Sequence, residues 1–308
     1  MSADNLLNKV KQLREITGVG FKDCKAAIDE NNGDIEKSIE FLRKKGIAKA
    51  NKKMERVAAD GLVSISEKNN SFSIVEINSE TDFVAKNNEF ISFVEEISEL
   101  ALNNLGKMDS ILNANMKNKK NVNDNLVSLI SKIGEKITFR RSAFIGSDKS
   151  INFSYIHSSV KNNLGKIGVL VSLETNKKKE DLSEFGKQLA MQIAATSPLS
   201  IDKNDLDSNL VNKEKEIITE ELKNTGKKQE IIDKIAIGKL NKFINDNTLL
   251  NQEWVMEPKK KVKEVVKEVA KDKKIEIIKF VLYSFGRFDS SISLVLIIKK
   301  LSLIMSFL

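Results

Sequence analysis

Apolar residues along this chain recur first at helical spacing. Leu6, Leu7, Val10 and Leu13 define one amphipathic helix that the TGVG turn stops, and a second runs from about Lys22 to Glu30. The NNGD turn follows, where Gly33 can take positive φ and Asp34 can cap a third helix that buries Ile35, Ile39 and Leu42 and stops at Gly46. Beyond a basic stretch from Lys49 to Arg56 the period changes to two. GLVSIS and SFSIVEIN alternate apolar and polar residues around Asn69-Asn70, which predicts a hairpin with one buried face. A helix over about Phe83–Leu105 comes next, with Phe90, Val94, Ile97 and Ala101 on one side. After an exposed loop around Lys117 and a short helix over Leu126–Ile133, KITFRRSAFI, INFSYIH and KIGVLVSLE read as a second sheet. A helix over Glu180–Ala195 ends at Ser197-Pro198. Charged helical runs at Lys213–Lys223 and Gln229–Asn245, split by NTGKK, pair as an antiparallel hairpin with Ile217, Ile218 and Leu222 facing Ile231, Ile232, Ile235 and Leu240. EWVMEP, a helix over Val262–Ala270 and the strand IEIIKFVLYSF complete the pattern.

The fold class expected is therefore α+β. A small three-helix bundle at 1–56 precedes a core in two parts, 57–142 and 143–288, with antiparallel sheets and a helical hairpin inserted at about 210–246. Residues 289–308 form an atypical apolar tail. Composition agrees with a helix-rich protein: only two prolines, Pro198 and Pro258, interrupt 308 residues. The formal charge of +8 permits nucleic acid, an anionic surface or an acidic protein as partner, and selects none of them. One cysteine, Cys24, excludes an internal disulfide framework and suits a reducing compartment. The start MSADNLLNKVKQL lacks a signal-peptide core, and the apolar run ISLVLII is interrupted by Lys299 and Lys300, so the expected location is cytoplasmic without a membrane anchor.

Several chemistries are missing from the chain. With one histidine, His157, and one cysteine, neither paired-histidine nor CxxC metal sites can be built, and no metal or cofactor is expected. GxxxxGK[ST], GxGxxG and GxSxG are absent, which argues against direct nucleotide binding and against a hydrolase. A Cys24/His157 catalytic pair is conceivable, but Cys24 falls on the apolar side of a short helix, where a buried inert thiol is expected. Nothing here argues for an enzyme.

The segments LREITGVGFKDCKAAIDENNGDIEKSIEFLRKKG, VAADG (Val57–Gly61), EINSETDFVAKN (Glu76–Asn87), GKIGVLV, AMQIAA and EWVMEP follow one another in an order that resembles the elongation factor Ts family, over about Leu6–Gly286. The first of these resembles a ubiquitin-associated-like head. The resemblance implies a non-enzymatic guanine-nucleotide exchange factor that docks on the GTPase elongation factor Tu and pushes a short element into its nucleotide domain during protein synthesis. Thr81, Asp82 and Phe83 match that element; Arg14, Gly20, Phe21, Lys22 and Lys25 match contacts made by the head, and His157, Val255 and Met256 match contacts made by the core. The hairpin allows homodimerisation.

Other readings compete residue by residue. Phe83 lies at heptad spacing before Phe90 and Ile97, so pattern alone assigns it to the core stripe. Asp82 reads equally as a helix-start carboxylate, and Arg14 and Lys25 as solvated positions. A lone histidine is more often a hydrogen-bonded structural group, and Met256 beside Trp254 reads as packing. The lysine clusters also allow a ribosome- or RNA-associated protein, although aromatics make up only 6% of residues and no RNP-type strand appears. The head alone would suit an adapter. Two departures from the family pattern stand out: Phe21 and Lys22 replace a frequent methionine pair, and the end reads FGRFDSSISLVLIIKKLSLIMSFL where the family continues glycine-glutamate-glycine.

Overall fold

Val10, Leu13, Cys24, Ala27, Ile28 and Leu42 close one small core between helices α1 (Ala3–Thr17), α2 (Phe21–Glu30) and α3 (Ile35–Lys53). Helices of this length are marginal alone in water, so this shared face holds them. The computed structural model describes residues 3–17, 19–53, 55–223 and 229–285. Gly18, the NTGKK turn at 224–228 and the apolar tail expected at 289–308 lie outside the described residues. The turn before α3 follows the sequence reading: Asn32 and Gly33 take φ of 51° and 78°, and the Asp34 carboxylate accepts the Lys37 amide at 3.0 Å. Two expectations fail. Leu7 is exposed rather than packed. Gly46 does not stop α3; a Cβ there would lie 2.7 Å from Ser131 Oγ. The missing side chain lets α3 run close against a later helix, and that contact outweighs the intrinsic cost of a helical glycine.

The described chain divides into two units. One comprises the described residues up to Ser66 with Ser73–Phe144 and Ser159–Lys166; the other comprises Glu67–Phe72, Ile145–Ser158 and everything described from Ile167 onward. Apart from the strand ends at Glu67–Phe72 and Ile145, the first holds β1 (Asp60–Lys68) and β2 (Ser71–Ser79), followed by α4 (Asp82–Ala85), α5 (Asn88–Asn103), α6 (Met108–Asn113), α7 (Val122–Ile133) and β3 (Ile137–Ile145). The hairpin turn at Asn69 and Asn70 uses two positive φ values, 49° and 61°, as a two-residue turn matched to strand twist requires.

Here the hairpin departs from the one-face pattern, because Gly61–Ile65 and Phe72–Ser79 are buried throughout. Several of their polar members are satisfied internally, although the buried Asn78 Oδ1 has no partner among the described residues. Ser64 donates to Ser98 Oγ at 3.1 Å, and Ser73 donates to the Ser98 carbonyl at 2.7 Å. The fully buried Glu76 accepts from Arg140 at 2.7 Å and Arg141 at 2.6 Å. Those arginines sit on β3, and this explains a second correction: KITFRRSAFI joins the first sheet, ordered β3-β2-β1-β5, rather than the second. Charge-assisted bonds to a buried carboxylate favour that pairing. Gly61, within VAADG, has φ 136° and passes 2.1 Å (from an added Cβ) from the Ile77 carbonyl, so only glycine fits.

β4 (Ser150–His157), β5 (Leu164–Gly165) and β6 (Ile167–Thr175) follow, then α8 (Ser183–Thr196), α9 (Ser208–Lys223), α10 (Gln229–Asn247), β7 (Glu253–Trp254), β8 (Glu257–Lys261), α11 (Val262–Ala270) and β9 (Ile275–Ser284). β5 completes the first sheet; β4, β6 and β9 pair antiparallel in the second unit. Phe153, Val171, Phe185, Leu189, Trp254 and Val262 form the core between that sheet and its helices. α8 ends where Ser197 turns to φ 49° ahead of Pro198. In the α9–α10 hairpin Ile218, Leu222 and Ile232 are buried together, whereas Ile217 and Ile231, expected to face them, are exposed. Among the described residues no helix is long and apolar enough to cross a membrane.

A Cβ on Gly186 of α8 would lie 2.3 Å from the Phe153 ring on β4. Gly186→Ala is therefore expected to cost about 1–3 kcal/mol through overpacking, measured as a lower urea midpoint; an unchanged midpoint would show that α8 and β4 are not in close contact.

Candidate functional site

Phe83 is the most exposed aromatic of the described chain, at 78%, while its neighbours Val84 and Ala85 are buried. The reason is a break in the helix expected over Phe83–Leu105. Asn87 leaves the helical region with ψ 128°, and its side chain accepts the amides of Glu89 at 2.9 Å and Phe90 at 3.2 Å. That N-cap starts α5 afresh. Residues Asp82–Ala85 form a separate single turn, so the heptad relation between Phe83 and Phe90 no longer places them on one stripe. The pattern-based core assignment of Phe83 is thereby corrected.

The turn is pinned from behind. The Thr81 amide donates to Glu135 Oε2 at 3.0 Å, and its hydroxyl donates to Oε1 at 2.8 Å. Ser79 donates to the Thr81 carbonyl at 3.0 Å. Glu80 accepts the Lys136 amide at 2.6 Å and the Arg56 guanidinium at 3.2 Å, and the first of these holds its carboxyl below the usual range. In front, Asp82 pairs with Lys86 at 2.8 Å. This bond lowers the Asp82 pKa and raises that of Lys86, so both are ionised at neutral pH. The Lys86 ammonium also lies 5.9 Å from the Phe83 ring centroid. The outcome is an aromatic side chain held in solvent on a fixed backbone, with a paired carboxylate beside it.

The remaining residues matched to partner contacts are all on the surface. Arg14 is exposed near the end of α1; Gly20 is the N-cap of α2, with Phe21 and Lys22 in its first turn and Lys25 one turn on, all exposed. These belong to the first unit, as do Thr81, Asp82 and Phe83. His157, Val255 and Met256 belong to the second. His157 is exposed at the end of β4, its Nδ1 2.9 Å from the Tyr155 hydroxyl. Val255 and Met256 form the β7–β8 turn, 47% and 39% exposed, and the Val255 amide donates to the buried Gln192 side chain at 2.8 Å. Trp254 is buried, stacked on Phe185 with centroids 6.2 Å apart. Cys24 is fully buried, donates to the Val19 carbonyl at 3.3 Å, and burial pushes its thiol pKa up.

Glu135 was not singled out from the sequence. It follows an ordinary helix end, Gly134 at φ 86°, and its partner lies 54 positions earlier, beyond any local pattern.

An exposed aromatic on an anchored turn is the kind of anchor that protein-recognition surfaces use. The family model described as Elongation factor TS matches residues 80–287. A protein of Bartonella quintana (strain Toulouse) named elongation factor Ts is 45% identical over 264 residues, covering 85% of this chain and 86% of the relative. One of the same name from Methylorubrum populi is 44% identical over 280 residues, covering 90% and 91%. The chain belongs to the elongation factor Ts family, and its role is that of a translation elongation factor.

A thiol reagent is expected to label Cys24 slowly in the native protein and quickly in denaturant, with labelling paced by opening of the helical head. Rapid native labelling would contradict the buried, inert assignment.

Proposed function

We propose that this protein is a guanine-nucleotide exchange factor for the GTPase elongation factor Tu, and that it acts by inserting Asp82 and Phe83 beside the partner's magnesium site. The observation that carries the reading is Phe83 held out in solvent by a half-buried anchor, the Thr81–Glu135 pair. An aromatic ring left in water costs free energy that burial in a partner recovers, and central aromatic anchors commonly contribute about 2 kcal/mol or more to binding. Thr81 would fix the base of the element, Phe83 would wedge between helices of the partner, and Asp82 would sit near the groups that order the magnesium ligands. Asp82 is ionised but engaged by Lys86, so docking exchanges one charged neighbour for others.

Exchange needs no bond chemistry. The factor must bind the nucleotide-free GTPase better than the GDP-bound form, and linkage then makes each ligand weaken the other by the same factor. Every 1.4 kcal/mol or so of that coupling is tenfold in affinity. Arg14, Gly20, Phe21, Lys22 and Lys25 would meet the partner's nucleotide domain, and His157, Val255 and Met256 would supply further contacts. Exposed cations of this kind act mainly on association rate and salt dependence.

The test loads elongation factor Tu with fluorescent GDP, chases with excess unlabelled nucleotide and follows release. Catalytic amounts of the protein should speed release, and Phe83→Ala should lower that effect about 30-fold, the equivalent of about 2 kcal/mol. No acceleration by the folded protein with a matched partner would overturn the reading.

A further inference from the structure

The turn between α7 and β3 is laced to the segment before Phe83 by a reciprocal pair of carboxylates. Glu80 reaches forward to accept the Lys136 amide at 2.6 Å, while Glu135 reaches back to accept both the amide and the hydroxyl of Thr81, at 3.0 and 2.8 Å. Both Glu135 oxygens are thus spent on one residue, and that residue directly precedes Asp82. The turn is braced in its own right. Lys53 Nζ donates to the Gly134 carbonyl, and Lys136 Nζ donates to the Arg56 carbonyl at 2.8 Å. Removing the Glu135 side chain therefore leaves the turn with other attachments.

The four-residue α4 is held at its far end by Val84 and Ala85 in the core, while its leading residue Thr81 relies on Glu135 and on the Ser79 hydroxyl. One helical turn cannot hold its own shape in water, and Thr81, its N-cap, makes no capping bond of its own. Instead its hydroxyl is turned to Glu135. Bonds to an ionised acceptor are shorter and stronger than neutral ones, so the carboxylate is suited to fixing a backbone that local propensity leaves undecided.

We infer that Glu135 is the positioning residue of the exchange element: by clamping Thr81 it sets the direction in which Phe83 leaves the surface. Glu135 itself need touch no partner. This rests on the exchange reading above. Without the clamp, Phe83 is correctly presented for only a fraction of the time. The apparent affinity for the partner then falls by that fraction, while the rate at saturation is unchanged.

The experiment measures fluorescent-GDP release from elongation factor Tu against concentration of the full-length protein. Glu135→Ala is expected to raise the half-saturating concentration about tenfold with the maximal rate retained, Glu135→Gln to raise it less, and neither to shift the urea midpoint comparably. Added to Phe83→Ala, Glu135→Ala should cost nothing more, because it acts through that ring. A folded Glu135→Ala protein with wild-type half-saturation, or one that loses as much on the Phe83→Ala background, overturns the inference. If Glu135→Ala does not fold, the pair Thr81→Val and Thr81→Ser decides. Val should raise half-saturation and Ser should recover most of the loss; equal values for the two overturn the clamp. Phe83→Ala that exchanges as well as wild type removes the Phe83 wedge and this inference with it, and no acceleration by the wild-type protein removes the exchange reading itself. An impaired Phe83→Ala beside a normal Glu135→Ala removes this inference alone.

Discussion

Two hydrogen bonds from the amides of Glu89 and Phe90 to the Asn87 side chain separate the turn that carries Phe83 from the helix that buries Phe90. Without that cap the helical period would run unbroken from Phe83 into Phe90 and Ile97, and all three rings and chains would share one buried stripe. With it, α5 starts at Asn88 and buries Phe90, Val94 and Ile97, while the preceding turn answers to a different set of partners. Val84 and Ala85 enter the core, Glu80 and Thr81 are tied to the turn at 135–136, and the ring that has no place inside is left outside. An exposed phenylalanine is ordinary in isolation. One held out by an N-cap on one side and a carboxylate clamp on the other is a committed surface feature.

The same device recurs in simpler form. Val255 and Met256 stand on a tight turn whose amide is held by the buried Gln192, next to a Trp254 that belongs to the core. His157 stands at a strand end with its Nδ1 turned to Tyr155, leaving the other ring nitrogen available. Phe21 opens α2 at an uncapped N-terminus. At the Val255 turn a buried residue fixes the backbone and its neighbour is displayed, which keeps low the entropy that would otherwise be lost on ordering a binding surface.

Local patterns carried much of the fold and little of the site. The α11 boundaries, the Asn69-Asn70 turn, the Asp34 cap and the end of α8 at Ser197-Pro198 all follow from residues within a few positions of one another, where propensity and turn chemistry act. The failures share a different cause. Gly46 looks like a stop until Ser131, far along the chain, is seen to need its space. The strand KITFRRSAFI looks like part of the second sheet until the buried Glu76 claims its two arginines. Phe83 looks like core because a heptad count cannot register a cap at Asn87. Glu135 carries no pattern at all, since its importance lies in Thr81. Residue-by-residue resemblance to the elongation factor Ts family pointed to Asp82 and Phe83 where periodicity placed Phe83 in the core, and the ring is exposed rather than on that stripe.

The central claim is that Phe83 is displayed rather than packed, and its stability cost tests that most directly. Urea unfolding should be compared for Phe83→Ala and Phe90→Ala, since the two rings differ in exposure from 78% to 0%. The account predicts a loss within about 0.5 kcal/mol for Phe83 and about 3–5 kcal/mol for Phe90. Equal, large losses at both positions would mean that the helix runs unbroken through Asn87 and that Phe83 belongs to the core.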